Sequence, residues 1–385
     1  MSGRGRVLAS LVLAAASAVG ALLAASSPPT FASWILHLAA LELSLLIAAA
    51  AALALLLTTG LSTRGAAIVR LMAVPALVVG LIPALVVIPL YREHGAPFSM
   101  RPYLPGPRTE PPTRRDVILD PGRPDLAVDI DLPAGPGPHP FVVVVHSGAW
   151  RSGDKGEVRH ASRALAGAGH VVVDVRYRLA PANRFPASVA DVKCQLGRLR
   201  ERAAEFAIDP RRGALLGRSA GGQVALVAAY SAGDPRLPPA CAVDDAPVSA
   251  VVSVYGPTDL TWGYAHIIRP DVVRGTDALE LYLAGPPSAD PELYRLASAI
   301  TWVDRPLPRT LLIHGTGDRL VSVENPRRLA KALREAGHPV DVLEIPLADH
   351  GFDHHAGGVG DQLAQHVILR FLAGGRDAIA REGVR

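Results

Sequence analysis

The sequence predicts an α/β fold with a mostly parallel central sheet and helices on both of its faces, preceded by about three transmembrane helices. Long apolar stretches with few charges occupy residues 1–91. From residue 116 onward, short β-branched runs alternate with helical patterns, as parallel strand pairing requires. In addition, 49% of the 385 residues are hydrophobic, which is more than a soluble domain of this length needs.

Three apolar stretches form the predicted membrane anchor, residues 1–91, with spans near residues 7–25, 34–57 and 66–90. Each is long enough to cross about 30 Å of hydrocarbon as a helix. The first follows Arg4 and Arg6, and its alternative interpretation is a cleaved signal peptide. Glu42 lies within the second stretch, where a charge is costly, and we expect it near the interface or against a neighbouring helix.

A linker and one further domain follow the anchor. Residues 92–115 are rich in proline and arginine, which favours an extended spacer and places the domain boundary there. Residues 116–375 are long enough for one large core and lie within the usual range of a single α/β domain. Residues 376–385 are left as a tail.

Short apolar runs, mostly β-branched, predict strands buried on both faces at residues 141–146, 171–176, 214–217, 250–255, 310–314 and 340–345. Short strands joined by a Pro-Gly turn are predicted ahead of them at residues 117–119 and 126–132. Helical patterns supply the crossovers at residues 162–168, 187–206, 220–230, 325–336 and 362–372. Residues 257–308 are richer in turns and aromatics, and are interpreted as a partial lid or as a plain surface excursion.

Charge and cysteine content exclude some classes of partner. The net charge is +4, but the arginines are scattered and do not form the stripe that tracks phosphates, so we expect no nucleic-acid partner. Cys194 and Cys241 fit no metal spacing. We expect two unpaired thiols, with a single disulfide in an oxidising compartment as the alternative.

Residues 217–221 read Gly-Arg-Ser-Ala-Gly, which has the G-x-S-x-G form, and they lie between a predicted strand and a predicted helix. Small flanking residues permit a sharp turn that lifts the serine hydroxyl to the carboxyl edge of the strand, beside the free N–H groups of a helix N-terminus. This context predicts Ser219 as a nucleophile.

A nucleophilic serine needs a general base and an acidic residue that orients the base. In folds that present the serine on a G-x-S-x-G turn, the sequence order is nucleophile, acid, histidine. Asp318 follows one predicted strand and His350 follows the next. Both loops are expected at the sheet edge that carries Ser219. We therefore predict Asp318 as the acid and His350 as the base.

Other acidic residues and histidines near the predicted triad are less well placed for its roles. Asp349 adjoins His350 and is poorly placed to hydrogen-bond the same imidazole, whereas Asp304 precedes its strand and is expected at the opposite edge. No separate ligand cluster accompanies the nearby histidines, so we expect no metal site. His354 and His355 are interpreted as solvated loop residues, and His314 as a residue that supports a loop.

Residues 146–150 read His-Ser-Gly-Ala-Trp directly after a predicted strand. Backbone N–H groups in a glycine-containing turn can stabilise a developing oxyanion without reorganisation. We predict an oxyanion hole formed by Ser147 and Gly148, with the N–H of Ala220 as a further donor. The alternative is an ordinary turn with a buried tryptophan.

Taken in order, these strings resemble the carboxylesterase family related to hormone-sensitive lipase and to feruloyl-esterase-like bacterial hydrolases. The resemblance covers about residues 116–372 and rests on HSGAW at His146, DVRYRLAP at Asp174, GRSAGG at Gly217, YGPTDL at Tyr255, HGTGD at His314 and DHGFD at Asp349. It implies the α/β-hydrolase fold, no cofactor, and the same triad and oxyanion turn. Ser147 departs from the family, which usually has glycine there. Within the matched strings, Trp150 and Tyr255 are the candidate substrate contacts.

These residues predict a membrane-anchored serine esterase that acts on a small-molecule or lipid ester through an acyl-enzyme. An amidase, formamidase or peptidase with the same triad is the alternative. A catalytically silent membrane receptor or scaffold of this fold is a second alternative, because fold alone does not imply activity. A transporter is disfavoured, since the spans lack repeats and a polar pathway.

Arginine placement predicts the orientation in the membrane. Arg4 and Arg6 precede the first span, the connection 26–33 carries no Lys or Arg, and the connection 58–65 carries Arg64. An inner N-terminus satisfies the positive-inside rule, and three crossings then place the rest of the chain outside. We therefore expect a multi-pass cell-membrane protein whose catalytic domain, residues 116–375, is extracytoplasmic.

Overall fold

The computed structural model describes residues 3–103 and 110–374. The chain forms two compact units. The first comprises Met1–Gly106, Asp271–Val273 and Ile345–Leu363, and the second comprises Pro107–Pro270, Arg274–Glu344 and Ala364–Arg385. Residues 104–109 of the predicted linker and the predicted tail, residues 376–385, lie outside the described residues.

The N-terminal part of the first unit is helical, with α1 (Gly3–Ala25), α2 (Phe31–Glu42), α3 (Ser44–Leu57), α4 (Arg64–His94) and α5 (Met100–Tyr103). By length and composition, α1 and residues Arg64–Glu93 of α4 are each apolar and long enough to cross a membrane. The second predicted span, residues 34–57, is not one continuous helix. Instead, α2 and α3 are bent by 66° at a break and pass the same test only as a pair.

Tyr103 explains how the backbone tolerates this break. Its hydroxyl donates to the carbonyl of Glu42 at 2.7 Å and accepts from the N–H of Leu45 at 3.2 Å. A helix that ends inside the protein needs such partners for its terminal backbone groups. Tyr103 is fully buried, and burial raises the pKa of its phenol to about 12. The same residue lies in the predicted linker, in which residues 92–94 belong to α4 and residues 100–103 form α5.

Helices α1, α3 and α4 pack through small residues, which allow their backbones to approach closely. Gly80 shows this most clearly, because a Cβ there would lie 2.8 Å from the backbone nitrogen of Ala48. The buried alanines of this cluster are Ala14, Ala21, Ala51, Ala54, Ala73 and Ala76. Large apolar side chains point outward instead, with Leu22 exposed to 72% and Leu71 to 77%. An apolar exterior of this kind suits a lipid environment.

The two ends of this helical bundle differ in chemistry. At one end, Arg6 donates to the carbonyls of Leu57 (3.0 Å) and Thr59 (3.1 Å), and Arg70 donates to the carbonyl of Thr58 at 2.8 Å. At the other end of α4, the hydroxyl of Tyr91 donates to the carbonyl of Val359 at 2.6 Å. Since 31 residues of α-helix span about 46 Å, these two ends are far apart.

An eight-stranded sheet organises the rest of the chain, with β1 (Arg114–Val117), β2 (Val128–Asp131), β3 (His139–Val145), β4 (Val171–Val175), β5 (Ile208–Arg218), β6 (Ala250–Val254), β7 (Arg309–Gly315) and β8 (Val340–Ile345). The strand order is β1-β2-β4-β3-β5-β6-β7-β8. Pairing is antiparallel for β1 with β2 and for β2 with β4, and parallel from β4 through β3, β5 and β6 to β7. The predicted architecture of two short strands followed by a mostly parallel sheet is confirmed.

The remaining helices are α6 (Arg159–Gly167), α7 (Ala187–Glu201), α8 (Ala203–Phe206), α9 (Ala220–Tyr230), α10 (Leu260–Ala265), α11 (Gly275–Leu283), α12 (Pro291–Ala297), α13 (Glu324–Glu335) and α14 (Val359–Leu372). Three of them, α10 to α12, lie in the aromatic-rich segment 257–308. Tyr282 and Tyr294 in this segment are almost fully buried. The segment is therefore packed into the core and is not a plain surface excursion.

Cys194 on α7 and Cys241 form a disulfide. Their Cα atoms are 5.4 Å apart, and 47 residues separate them in the sequence. The expectation of two unpaired thiols is therefore wrong. Sequence spacing could not decide the question, because pairing depends on how a helix and a distant loop pack together.

Candidate active site

Parallel strands β3, β5 and β6 end at the same edge of the sheet. Val145 of β3 pairs with Gly217 of β5, and Gly217 pairs with Ser253 of β6. The chain segments that leave β3 and β5 therefore emerge side by side. One of these segments carries the predicted oxyanion turn and the other carries Ser219.

Ser219 occupies a sharp turn between β5 and α9, with φ 51° and ψ −121°. A non-glycine residue in such a conformation stores roughly 1–3 kcal/mol of strain, which the surrounding structure must hold in place. A Cβ at Gly217 would collide with the carbonyl of Gly221, and one at Gly221 would collide with the carbonyls of Val145 and His146. These contacts explain why both flanking positions are glycine.

The turn also leaves the serine accessible while its neighbours are buried. Ser219 is half-buried, whereas Arg218 and Ala220 are exposed to only 3% and 2%. The N–H of Ser219 donates to the carbonyl of Val254 at 2.9 Å, which ties the turn to β6. A strained, anchored and accessible serine at a helix N-terminus is the geometry of a nucleophile elbow.

The predicted oxyanion turn has three consecutive residues with positive φ: Gly148, Ala149 and Trp150. The N–H of Ser147 donates to the carboxylate of Glu157 at 2.7 Å, and the hydroxyl of Ser147 contacts the same carboxylate. Ser147 is therefore committed to Glu157 and is not the backbone donor that we predicted. Gly148 and Ala149, by contrast, donate their N–H groups to no acceptor among residues 3–103 and 110–374.

The side chain of Trp150 is fixed by contacts with other side chains of the protein. Its ring stacks on that of Tyr282 with centroids 4.6 Å apart, and its Nε1 donates to the side chain of Gln223 at 2.8 Å. Gln223 in turn donates to the carbonyl of Ala297 at 2.8 Å. Trp150 and Tyr255 are exposed to only 5% and 1%, so both candidate substrate contacts are interior residues here. Their role toward a substrate stays a prediction.

Two residues near the site were missed by sequence reasoning. Gln223 links the nucleophile helix to Trp150, and Glu157 holds the first residue of the oxyanion turn. Gln223 had a visible signal, because it is the single long polar side chain in the small and apolar helix AGGQVALVAAY. Glu157 had none, since it lies in an irregular charged stretch.

His146 fixes the start of the predicted oxyanion turn. Its Nδ1 donates to the carbonyl of Ser147 at 2.7 Å, and its ring stacks on Tyr177 with centroids 4.2 Å apart. Burial lowers the pKa of His146, which favours the neutral imidazole near pH 7. The hydroxyl of Tyr177 donates to the carbonyl of His146 at 3.1 Å. These contacts give the turn a rigid base.

Asp318 lies three residues after β7, in a loop that fixes its carboxylate. Its Oδ1 accepts from the N–H groups of Leu320 (2.8 Å) and Val321 (2.9 Å). Its Oδ2 lies 3.1 Å from Nε2 of His314, which is also 2.8 Å from the carbonyl of Val321. The predicted loop-supporting position of His314 agrees with these contacts.

His350 follows β8 and belongs to the first unit. The neighbouring Asp349 is fully buried. Its Oδ1 accepts from the backbone N–H of His350 at 2.7 Å, and its Oδ2 accepts from Nε1 of Trp34 at 3.1 Å. Both carboxylate oxygens of Asp349 thus accept hydrogen bonds from donors of the first unit.

Comparison with known proteins identifies the family. Residues 128–333, more than half of the chain, match the family model named BD-FAE. The chain belongs to this family. The match runs from β2 to α13 and includes Ser219 and Asp318, but it does not extend to the first 127 residues or to His350.

Curated relatives of this BD-FAE member include esterases of Mycobacterium tuberculosis. Esterase LipC is 34% identical over 249 residues, which is 63% of this chain and 59% of LipC. Esterase LipQ is 32% identical over 302 residues, which is 76% of this chain and 66% of LipQ. The chain therefore spans less than two thirds of the length of these relatives.

Solved structures share the fold. A truncated carbohydrate esterase from gut microbiota superposes with a TM-score of 0.55 at 23% identity, covering 65% of this chain and 90% of that one. A bacterial heroin esterase gives a TM-score of 0.55 at 24% identity, covering 65% and 79%. At such identities the likeness shows fold alone. The predicted α/β-hydrolase fold is confirmed.

Proposed function

We propose that this protein is a membrane-anchored serine esterase that hydrolyses carboxylic esters. The observation that carries the proposal is Ser219, held with positive φ in a strand-to-helix turn beside a second turn with uncommitted N–H groups. The relatives named esterase LipC, esterase LipQ and probable carboxylic ester hydrolase LipM support an ester substrate.

In the proposed reaction, Oγ of Ser219 attacks the acyl carbon while His350 accepts the hydroxyl proton, and Asp318 orients the imidazole. The N–H groups of Gly148, Ala149 and Ala220 stabilise the oxyanion. His350 then donates its proton to the departing alcohol. Water, deprotonated by the same imidazole, attacks the acyl-enzyme and releases the carboxylic acid with Ser219 restored.

Chain order supports this triad. Ser219, Asp318 and His350 occur in the sequence order of the α/β-hydrolase triad, each shortly after the end of a strand. The loop of Asp318 fixes its carboxylate through two backbone N–H groups. The competing Asp349 adjoins His350 in the sequence and accepts from its backbone N–H, and a residue so close is poorly placed to orient the same imidazole.

The proposal includes an extracytoplasmic catalytic domain. Arg6 and Arg70 cluster at one end of the bundle, which the positive-inside rule assigns to the cytoplasm. Segment 345–363 lies at the other end, beside Tyr91. The Cys194–Cys241 disulfide also suits an oxidising compartment. Protease added to intact cells should remove the catalytic domain, and protection until lysis would contradict this orientation.

Ester hydrolysis by the full-length protein, measured with p-nitrophenyl esters of graded chain length, tests the catalytic proposal. Ser219→Ala should abolish turnover and labelling by a fluorophosphonate probe without lowering the melting temperature. Ser249→Ala is the matched control, because it removes a serine hydroxyl that donates to the carbonyl of Gly213, away from the proposed triad. Ester turnover near the wild-type rate in Ser219→Ala would contradict the assignment.

The acid is tested by a pair of asparagine variants. Asp318→Asn should reduce kcat by about 10³–10⁴-fold, because the amide favours the wrong imidazole tautomer. Asp349→Asn should reduce it far less. A larger loss in Asp349→Asn would make Asp349 the acid.

The substrate class is tested separately with the wild-type protein. Hydrolysis of p-nitroanilides faster than that of p-nitrophenyl esters would favour an amidase.

A further inference from the structure

The segment that carries His350 is bonded to helix α2 of the predicted membrane anchor. Trp34 is the link, since its Nε1 donates to Oδ2 of Asp349 at 3.1 Å while Oδ1 accepts from the backbone N–H of His350 at 2.7 Å. One carboxylate thus connects the backbone of the proposed base to a side chain 315 residues earlier in the sequence. All three residues belong to the first unit.

This link is buried, so it is not screened by water. Trp34 is exposed to 5% and Asp349 to 0%. A charge-assisted hydrogen bond in such surroundings is stronger than a neutral bond at the surface. His37 lies beside this link: its Nε2 is 3.7 Å from the same Oδ2, an ion pair when the imidazole is protonated, and its Nδ1 donates to the carbonyl of Leu23 at 2.9 Å.

The backbone around His350 needs such support. Leu347 and Gly351 both have positive φ, at 61° and 82°, so the short stretch that contains His350 is bracketed by two left-handed residues. Leu347 pays a steric penalty in this conformation that glycine would not. A loop built in this way holds one conformation only when its neighbours fix it. Asp349 lies between Leu347 and Gly351, and its carboxylate bonds Trp34 of α2.

Further contacts hold the rest of segment 345–363 against the same helices. The hydroxyl of Tyr91 donates to the carbonyl of Val359 at 2.6 Å, and the ring of Tyr103 meets that of His355 edge-on with centroids 5.3 Å apart. A Cβ at Gly358 would lie 2.6 Å from Oε2 of Glu42. Trp34 and Glu42 of α2 therefore both face this segment.

We propose that Trp34 is a positioning residue for catalysis, and that the N-terminal helices set the location of the imidazole of His350 through Asp349. The inference rests on the proposed function, because it takes His350 as the base. Its consequence is that the anchor is part of the catalytic apparatus. Displacing a catalytic group by about 1 Å can cost on the order of 10²-fold in rate while leaving substrate binding largely unchanged.

Trp34→Phe in the full-length protein tests this proposal, because it keeps an aromatic side chain but removes the N–H donor together with the pyrrole part of the indole ring. The matched control is Trp302→Phe, which removes another buried indole N–H, bonded to the carbonyl of Leu296 at 3.1 Å. We measure kcat and KM per active site, titrated with a fluorophosphonate, together with the melting temperature. Trp34→Phe should lower kcat about 10- to 100-fold with KM within about twofold. Trp302→Phe should keep kcat within about twofold.

A double-mutant cycle separates positioning from general stability. In an Asp349→Ala background, Trp34→Phe should change kcat by less than about twofold, because the acceptor of the Trp34 N–H is already absent. Unchanged kcat per titrated site in Trp34→Phe, even with a lower melting temperature, overturns the proposal. Loss of activity in Ser219→Ala would then leave the proposed esterase function standing. If Ser219→Ala is as active as wild type, the proposed function and the positioning role both fail.

Discussion

Removal of the Cys194–Cys241 disulfide should destabilise the protein strongly. The bridge joins α7 to a loop 47 residues away in sequence, and it therefore restricts the unfolded chain by closing a long loop. The chain-entropy relation gives about 4 kcal/mol at 25 °C for a loop of this length. For a unit of roughly 250 residues, that loss corresponds to a fall in melting temperature of roughly 8–15 °C.

The assay is thermal unfolding of wild type with and without reductant, beside the double variant Cys194→Ala/Cys241→Ala. Reductant should lower the melting temperature of wild type to that of the double variant, and should leave the double variant unchanged. Free-thiol titration of the denatured, unreduced protein should find no thiol. The reasoning is refuted if two thiols are titrated, or if the double variant melts within about 2 °C of wild type. Oδ2 of Asp120 lies 3.8 Å from Sγ of Cys194, so the carboxylate could bind a metal ion together with the two sulfurs. Two free thiols and a bound metal ion would therefore indicate a metal site in place of the disulfide.

Further substitutions test the architecture around Ser219. Gly221→Ala should abolish fluorophosphonate labelling and lower the melting temperature, because the added Cβ meets two backbone carbonyls; Gly263→Ala, with open space around it, is the control and should do neither. Gln223→Leu should cost about 1–3 kcal/mol in urea unfolding by stranding the buried N–H of Trp150, and a cost below about 0.5 kcal/mol would contradict the role given to this glutamine. Glu157→Ala should lower kcat about tenfold with little change in KM, because the oxyanion turn loses its anchor, and an equal rise in KM would indicate a role in substrate binding instead.

The sheet and the turn that holds Ser219 could be predicted because their signals are local. Parallel strands buried on both faces appear as continuous apolar runs, and residues 141–146 and 171–176 differ from β3 and β4 by two residues or fewer at each end. The helix predicted at residues 220–230 has the bounds of α9. Here the glycines around Ser219 and the strand-to-helix change indicate the same turn. Agreement between local signals and the global fold made these predictions reliable.

The missed features depend on contacts between distant parts of the chain. The break between α2 and α3 lies inside an apolar run and is stabilised by Tyr103, about sixty residues away. The anchor of Ser147 is Glu157, whose surroundings carry no periodic pattern. Pairing of Cys194 with Cys241 likewise follows from packing. None of these contacts leaves a trace in the spacing of residues near the sites that they determine.

Because α2 and α3 are bent at a break, the helices could cross the membrane an odd or an even number of times. The contacts of Arg6 show at which end of the bundle α3 ends. Arg6, at the start of α1, bonds the carbonyls of Leu57 and Thr59, so the beginning of α1 and the end of α3 lie at the same end of the bundle. The chain therefore passes up along α1, returns through α2 and α3, and passes up again along α4. Three passages support an outer location for the residues after α4, if the arginine-bearing end faces the cytoplasm. Helix α1 also supplies Ala14 and Ala21 to the core that it shares with α3 and α4, and the proposed orientation counts it as one of the three passages.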